Sequence, residues 1–162
     1  MGIRYLKIVL TAFVGLEAWL YVAGDIANWH AGHSAISYVI SMQGNDTYPV
    51  HIFPALTGPV WATIAYVIIL SGEFLVGALS LKGAWDMWSA RRHDTASFNA
   101  SKRVGLLGLG MAMVVWFGGF IVIGGALFQM WQSKVGAGSF NGAFIYSATA
   151  ALVLLFVYRP DE

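Results

Sequence analysis

The chain has 162 residues, of which 58% are hydrophobic and 10% charged, with a formal net charge of +1 and no cysteine. A soluble domain is about a quarter charged, so a water-soluble fold is excluded, and without cysteine so are disulfides, thiolate catalysis and thiolate metal sites. The near-neutral charge and the lack of a basic stripe with interleaved aromatics give no sign of a nucleic-acid partner.

The first apolar run spans about residues 5–24. Arg4 and Lys7 ahead of it resemble the start of a secretion signal. Glu17 inside the run, and the length of the run, favour a retained transmembrane helix. A polar, proline-containing connection follows. Within it, His33 to Met42 sets Ile36, Val39 and Ile40 at helical spacing, which predicts a short interfacial helix. Asn45-Asp46-Thr47 reads as a turn and is also a glycosylation sequon. Thr57-Gly58-Pro59 is a helix start with proline at the first helical position, and the second span runs over about 59–81.

Five Lys/Arg lie between Lys82 and Arg103. The third span covers about 104–128, a short connection carries Lys134, and the fourth span covers about 141–158. Each run can cross a hydrocarbon layer roughly 30 Å thick. The expected fold is therefore an all-α membrane protein, a four-transmembrane-helix bundle with an interfacial helix in the first extracytoplasmic connection. One integral membrane domain fills residues 1–162. Arg4, Lys7, Arg159 and the five basic residues of the second connection fall on one side, so the positive-inside rule puts both termini in the cytoplasm. Tyr5, Trp85, Trp88 and Tyr158 then lie at the inner boundary, and Trp29, Trp61 and Trp131 at the outer one.

Small residues mark two candidate packing or partner faces. Gly105, Ala112, Gly119 and Ala126 recur every seventh residue on the third helix, and Ala143, Ser147 and Ala151 every fourth on the fourth. In lipid, close helix contact depends on such stripes.

Glu17 and Glu73 are the acids inside the spans. At 1.5 Å rise per residue, each lies roughly 14–15 Å from the inner boundary. Trp116, Ser147 and Thr149 fall at comparable depth, so these five residues form a candidate intramembrane polar cluster. Beyond Lys7 at the inner boundary, no Lys, Arg or His occurs within a span to pair with the acids. Sequential helices are neighbours as a rule, and the two carboxyls are expected to face each other and share a proton. The cluster reads as a hydrogen-bonded knot, a proton or cation relay, or a polar anchor for a bound lipid or quinone. On the outer side, Asp25, His30, His33 and His51 are a weak candidate metal set; solvated interfacial histidines are the better reading. No nucleophile–base pair, phosphate loop or zinc-protease helix is present, so no enzymatic activity is expected.

The residues of the third and fourth helices carry a resemblance. Val115-Trp116-Phe117-Gly118-Gly119-Phe120 and Gly124-Gly125-Ala126-Leu127-Phe128-Gln129-Met130-Trp131-Gln132-Ser133 resemble the bacterial DUF2165 family of small integral membrane proteins. Gly83-Ala84-Trp85, the Tyr38–Met42 run and Pro160-Asp161 add to the likeness. The resemblance implies four helices in a bacterial inner membrane and supplies no activity. Two functional expectations follow. One is a non-enzymatic accessory or scaffold subunit that docks on a larger membrane complex, a respiratory complex being one candidate, or forms a homo-oligomer. The other is a small proton- or cation-coupled transporter or channel using Glu17 and Glu73.

Overall fold

The computed structural model describes residues 2–161. Its helices are α1 (Gly2–Ala27), α2 (Trp29–Ile40), α3 (Pro59–Ala90), α4 (Thr95–Ser101), α5 (Arg103–Met113) and α6 (Lys134–Tyr158). A π-helical segment, Val114–Leu127, continues α5, and a 3-10 turn, Met130–Gln132, leads into α6. Four helical rods are long and apolar enough to cross a membrane: α1, α3, the rod from Thr95 to Leu127, and α6. The protein is an all-α, four-helix membrane bundle.

Local chemistry sets the ends. Gly58, at φ 103°, turns the chain into α3, and Pro59 occupies its first turn. The Asp94 carboxylate caps α4 by accepting from the Ser97 N–H at 3.0 Å, and these hydrogen bonds hold its pKa below the ordinary value. Ser133 caps α6 by accepting from the Gly136 N–H at 3.0 Å. The strong cap at Ser133 is why the fourth helix starts at Lys134 and not near Asn141. Likewise α3 runs on to Ala90 through Lys82 and Asp86, whose i,i+4 ion pair is 2.5 Å long. The interfacial helix is present but starts earlier than the spacing predicts, at Trp29.

Around the bundle, α1 packs along α3, α3 along α5, α5 along α6, and α6 closes back onto α1. The core holds Ala18, Val76, Met87, Leu109, Ala112 and Val157. The outward faces carry Phe13, Leu20, Ile68, Val114 and Leu152, all exposed. In lipid this is the expected arrangement, since hydrocarbon is as good a neighbour for leucine as another leucine.

The closest crossings are made by glycine. A Cβ on Gly83 would collide with the backbone of Gly105, one on Gly108 would lie 2.5 Å from the Ser80 backbone nitrogen, and one on Gly77 would collide with the Trp19 indole. The predicted stripe on the third helix therefore packs inside the bundle only in its first half. Gly105 and Ala112 are buried, Gly119 is half-buried with nothing within 4 Å of its Cβ position, and Ala126 is exposed. The cause is the π segment. Its i→i+5 bonding places more residues in each turn, so a seven-residue spacing no longer returns to the same face. On α6, Ala143 and Ser147 are buried as predicted, but the next buried alanine is Ala150 and Ala151 is half-buried.

The connections are tied to each other. The Asn45 side-chain amide donates to the Phe128 carbonyl at 3.0 Å, and Gln132 Oε1 accepts from the Thr47 and Tyr48 N–H groups at 2.8 and 3.0 Å. Asn45 is buried by these contacts. The sequon is therefore a structural tie, with its amide nitrogen already committed.

Candidate functional site

The polar interior divides into two cavities, one for each intramembrane glutamate. Glu73 sits on the buried face of α3, beside Gly72 and Val76. It lines a cavity of about 280 Å³ with Asp25 and Tyr21 from α1, Trp116 and Phe120 from the π segment, and Tyr146 from α6. One carboxylate oxygen, Oε2, is buried without a hydrogen-bond partner among the described residues. Aromatic rings surround it: Trp116 and Tyr146 have centroids 5.3 Å apart, and Tyr21 and Tyr146 5.0 Å apart, with their hydroxyls hydrogen-bonded to each other. Among the described residues no basic side chain lines this cavity.

Glu17 does not face Glu73. It is half-buried on another side of α1 and lines a groove with Leu10, Phe13, Leu20, Thr149 and Val153, open between α1 and α6. The expected carboxyl pair is therefore not formed: the two acids line different cavities, and no hydrogen bond joins them among the described residues. The acid that shares Glu73's cavity is Asp25. Equal depth along two helices says nothing about rotation around them, and here packing turns Glu17 away. Ser147 also stays out of the cluster, because its hydroxyl donates to the Phe144 carbonyl of its own helix at 3.1 Å.

The position of the cavity follows from the chain ends. Asp25 lies two residues from the end of α1, and Gly138 and Ser139, near the start of α6, line the same space. The cavity thus runs from the end of the bundle opposite the termini down to Glu73. Beyond Glu73, toward the terminal end, Val76, Ser80, Met87 and Leu109 are fully buried and close the core. Trp19 packs on Gly77, one turn along α3 from Glu73, and donates its indole N–H to the Phe74 carbonyl at 3.2 Å.

The suggested metal set is not assembled. His33 Nε2 lies 3.0 Å from Thr63 Oγ1 and its ring stacks on Trp29, while Asp25 lines the Glu73 cavity. His30 is exposed and His51 lies in the connection before α3. Among the described residues no three His, Asp or Glu side chains come together to hold a metal ion.

The structure also holds a second polar cluster that no sequence motif marks. Lys7 on α1 and Lys102, between α4 and α5, both bind the Asp161 carboxylate, Lys7 at 2.9 Å. Their ammonium groups also donate to the Arg159 carbonyl at 2.6 and 2.9 Å, and Asn99 exchanges hydrogen bonds with the Asp161 backbone at 3.0 and 3.2 Å. All three charged side chains are about 3% exposed. This latch brings together residues at both ends of the chain, so their proximity left no local trace in the sequence.

A family model described as a predicted small integral membrane protein, DUF2165, matches residues 3–160, nearly all of the chain. The chain belongs to the DUF2165 family. The match takes in both glutamates, the glycine contacts between α3 and α5, and most of the latch, ending one residue before Asp161. No curated protein and no solved structure matches the chain. As a DUF2165 member the chain is a small integral membrane protein, and the family description carries no activity.

Proposed function

We propose that this DUF2165 protein binds a proton or small cation at Glu73, taken up from the end of the bundle opposite the termini. The buried, unpartnered Oε2 of Glu73 in an aromatic-lined cavity carries this reading. A carboxylate deep in a membrane needs a proton, a cation or a strong donor. Tyrosine and tryptophan faces favour a cation as well, and Asp25 adds a second acid near the mouth. The closed core toward the terminal end supports binding from one side over open conduction. The role is that of a binding or coupling protein, not an enzyme.

Titrating the tryptophan fluorescence of the purified protein with pH, sodium and methylammonium tests this. Trp116→Phe identifies the reporting ring. Glu73→Gln should weaken the response roughly tenfold or more, because it removes a charge-assisted contact. Glu17→Gln should leave it unchanged, since Glu17 lines a different groove. An equal loss in both variants, or no response in the wild type, would reject the site.

A second reading is favoured by the third rod. Gly110, Gly118 and Gly119 have nothing within 4 Å of their Cβ positions, which leaves room for another helix in an accessory or homo-oligomeric role. Mass spectrometry of proteins co-purifying in mild detergent, with and without Gly118→Leu, tests it. Loss of a specific partner in the variant supports it.

We further propose a bacterial inner membrane location with the terminal end in the cytoplasm, on the charge asymmetry of the two ends. Ser97→Cys and Gln43→Cys, placed at opposite ends of this cysteine-free chain, should label from opposite sides with an impermeant thiol reagent. Equal labelling in sealed cells would overturn the orientation.

A further inference from the structure

A cavity of about 890 Å³ lies at the terminal end, far from Glu73. Arg4, Lys7, Arg92 and Arg159 line it, against two carboxylates, Asp94 and Asp161. Both acids are engaged by neighbours, although Asp161 Oδ1 is buried without a hydrogen-bond partner among the described residues. Asp161 is shared by Lys7 and Lys102, and Asp94 accepts from the Ser97 N–H and hydroxyl. Arg4 is held in place, donating to the Arg91 and His93 carbonyls at 3.2 and 2.8 Å. The guanidinium groups of Arg92 and Arg159 make no ion pair among the described residues. Ile3 and Phe156 add an apolar wall.

We propose that this cavity binds a phosphate-bearing anion, with a lipid phosphodiester headgroup as its source. Three observations converge on that class. The space admits a headgroup. The arginines present planar donors suited to phosphate oxygens. The site lies where both termini and the α3–α4 turn meet, at the end of helices that lipid surrounds, and basic pockets between membrane helices at such a boundary hold anionic headgroups. The apolar wall of Ile3 and Phe156 suits the upper part of an acyl chain, which a free phosphate ion would leave uncovered.

The test uses the full chain in detergent, with native mass spectrometry of adducts formed with phosphatidylglycerol and with phosphatidylcholine. Wild type should retain phosphatidylglycerol in preference. Arg92→Gln with Arg159→Gln should weaken that adduct roughly 25-fold, at about a factor of five for each basic side chain near an anionic group. The matched pair Lys82→Gln with Arg103→Gln removes the same charge at the same end but outside the cavity, and should have little effect. Unchanged phosphatidylcholine adducts in all variants check that each is folded. An arm with inorganic phosphate separates the sources. Thermal stabilisation by phosphate in wild type, lost in the Arg92/Arg159 variant and without lipid preference, keeps the anion site but assigns it a soluble ligand. Equal weakening in both double variants, or binding of neither probe, overturns the proposal.

Discussion

Gly83→Val is expected to cost the fold about 3 kcal/mol or more, the upper end for overpacking. The reason is what the new side chain meets. A Cβ at Gly83 runs into the backbone nitrogen and Cα of Gly105, with Val104 also at hand. A clash with the tip of a flexible side chain can be relieved by rotation, whereas a clash with backbone requires α3 and α5 to separate. That crossing is one of the closest in the bundle, and dispersion across it is a main source of helix association in lipid. Separation would also lift Gly108 off Ser80, losing a second contact. Gly110→Val makes the same chemical change in α5 where nothing lies within 4 Å of the Cβ position, and should be close to neutral. Unfolding midpoints in mild detergent, followed by tryptophan fluorescence, compare the two. Equal shifts would mean that glycine contacts do not hold α3 against α5.

The same glycines show what the sequence could reveal. Four apolar runs, the proline at the start of α3 and the basic residues at one end were legible because each is a local signal. The short interfacial helix was legible for the same reason, through Ile36, Val39 and Ile40. Rotation about a helix axis was not. Glu17 and Glu73 fall at similar depth by rise per residue, yet side-chain packing of α1 on α3 points one into a groove toward α6 and the other into the core. The Gly119–Ala126 half of the stripe does not pack inside the bundle because a π segment changes the residues per turn, and Val114–Leu127 reads as an ordinary apolar helix. Gly83 carries no local signal beyond the Gly83-Ala84-Trp85 string, although it makes a closer approach than Gly119 does. Asn45, Lys7 and Lys102 each read as surface residues. Their partners lie far along the chain, and only the tertiary fold supplies them.

The latch sets the other large expected effect. Asp161→Asn should destabilise the protein by about 3–5 kcal/mol, the range for breaking a buried ion pair by removing one partner. The variant keeps the shape of the carboxylate but leaves the Lys7 and Lys102 ammonium groups, both about 3% exposed, without that counter-charge. Lys7→Met, Lys102→Met and Asp161→Leu combined should recover most of the loss, since an apolar cluster of similar volume avoids burying charge. The pH dependence has a definite sign. Burial disfavours the ionised Asp161, but hydrogen bonds from Lys102 and Lys7 outweigh it and hold the carboxyl below its ordinary pKa. A carboxyl whose folded pKa is depressed stabilises fully above its unfolded pKa, about 3.9, and loses that contribution as pH falls toward the folded value. Wild type should therefore weaken below about pH 4, while Asp161→Asn lacks this component of the decline. If Asp161→Asn unfolds within about 0.5 kcal/mol of wild type at neutral pH, the size of an ordinary surface substitution, then the tail does not clamp α1 to the α4–α5 turn.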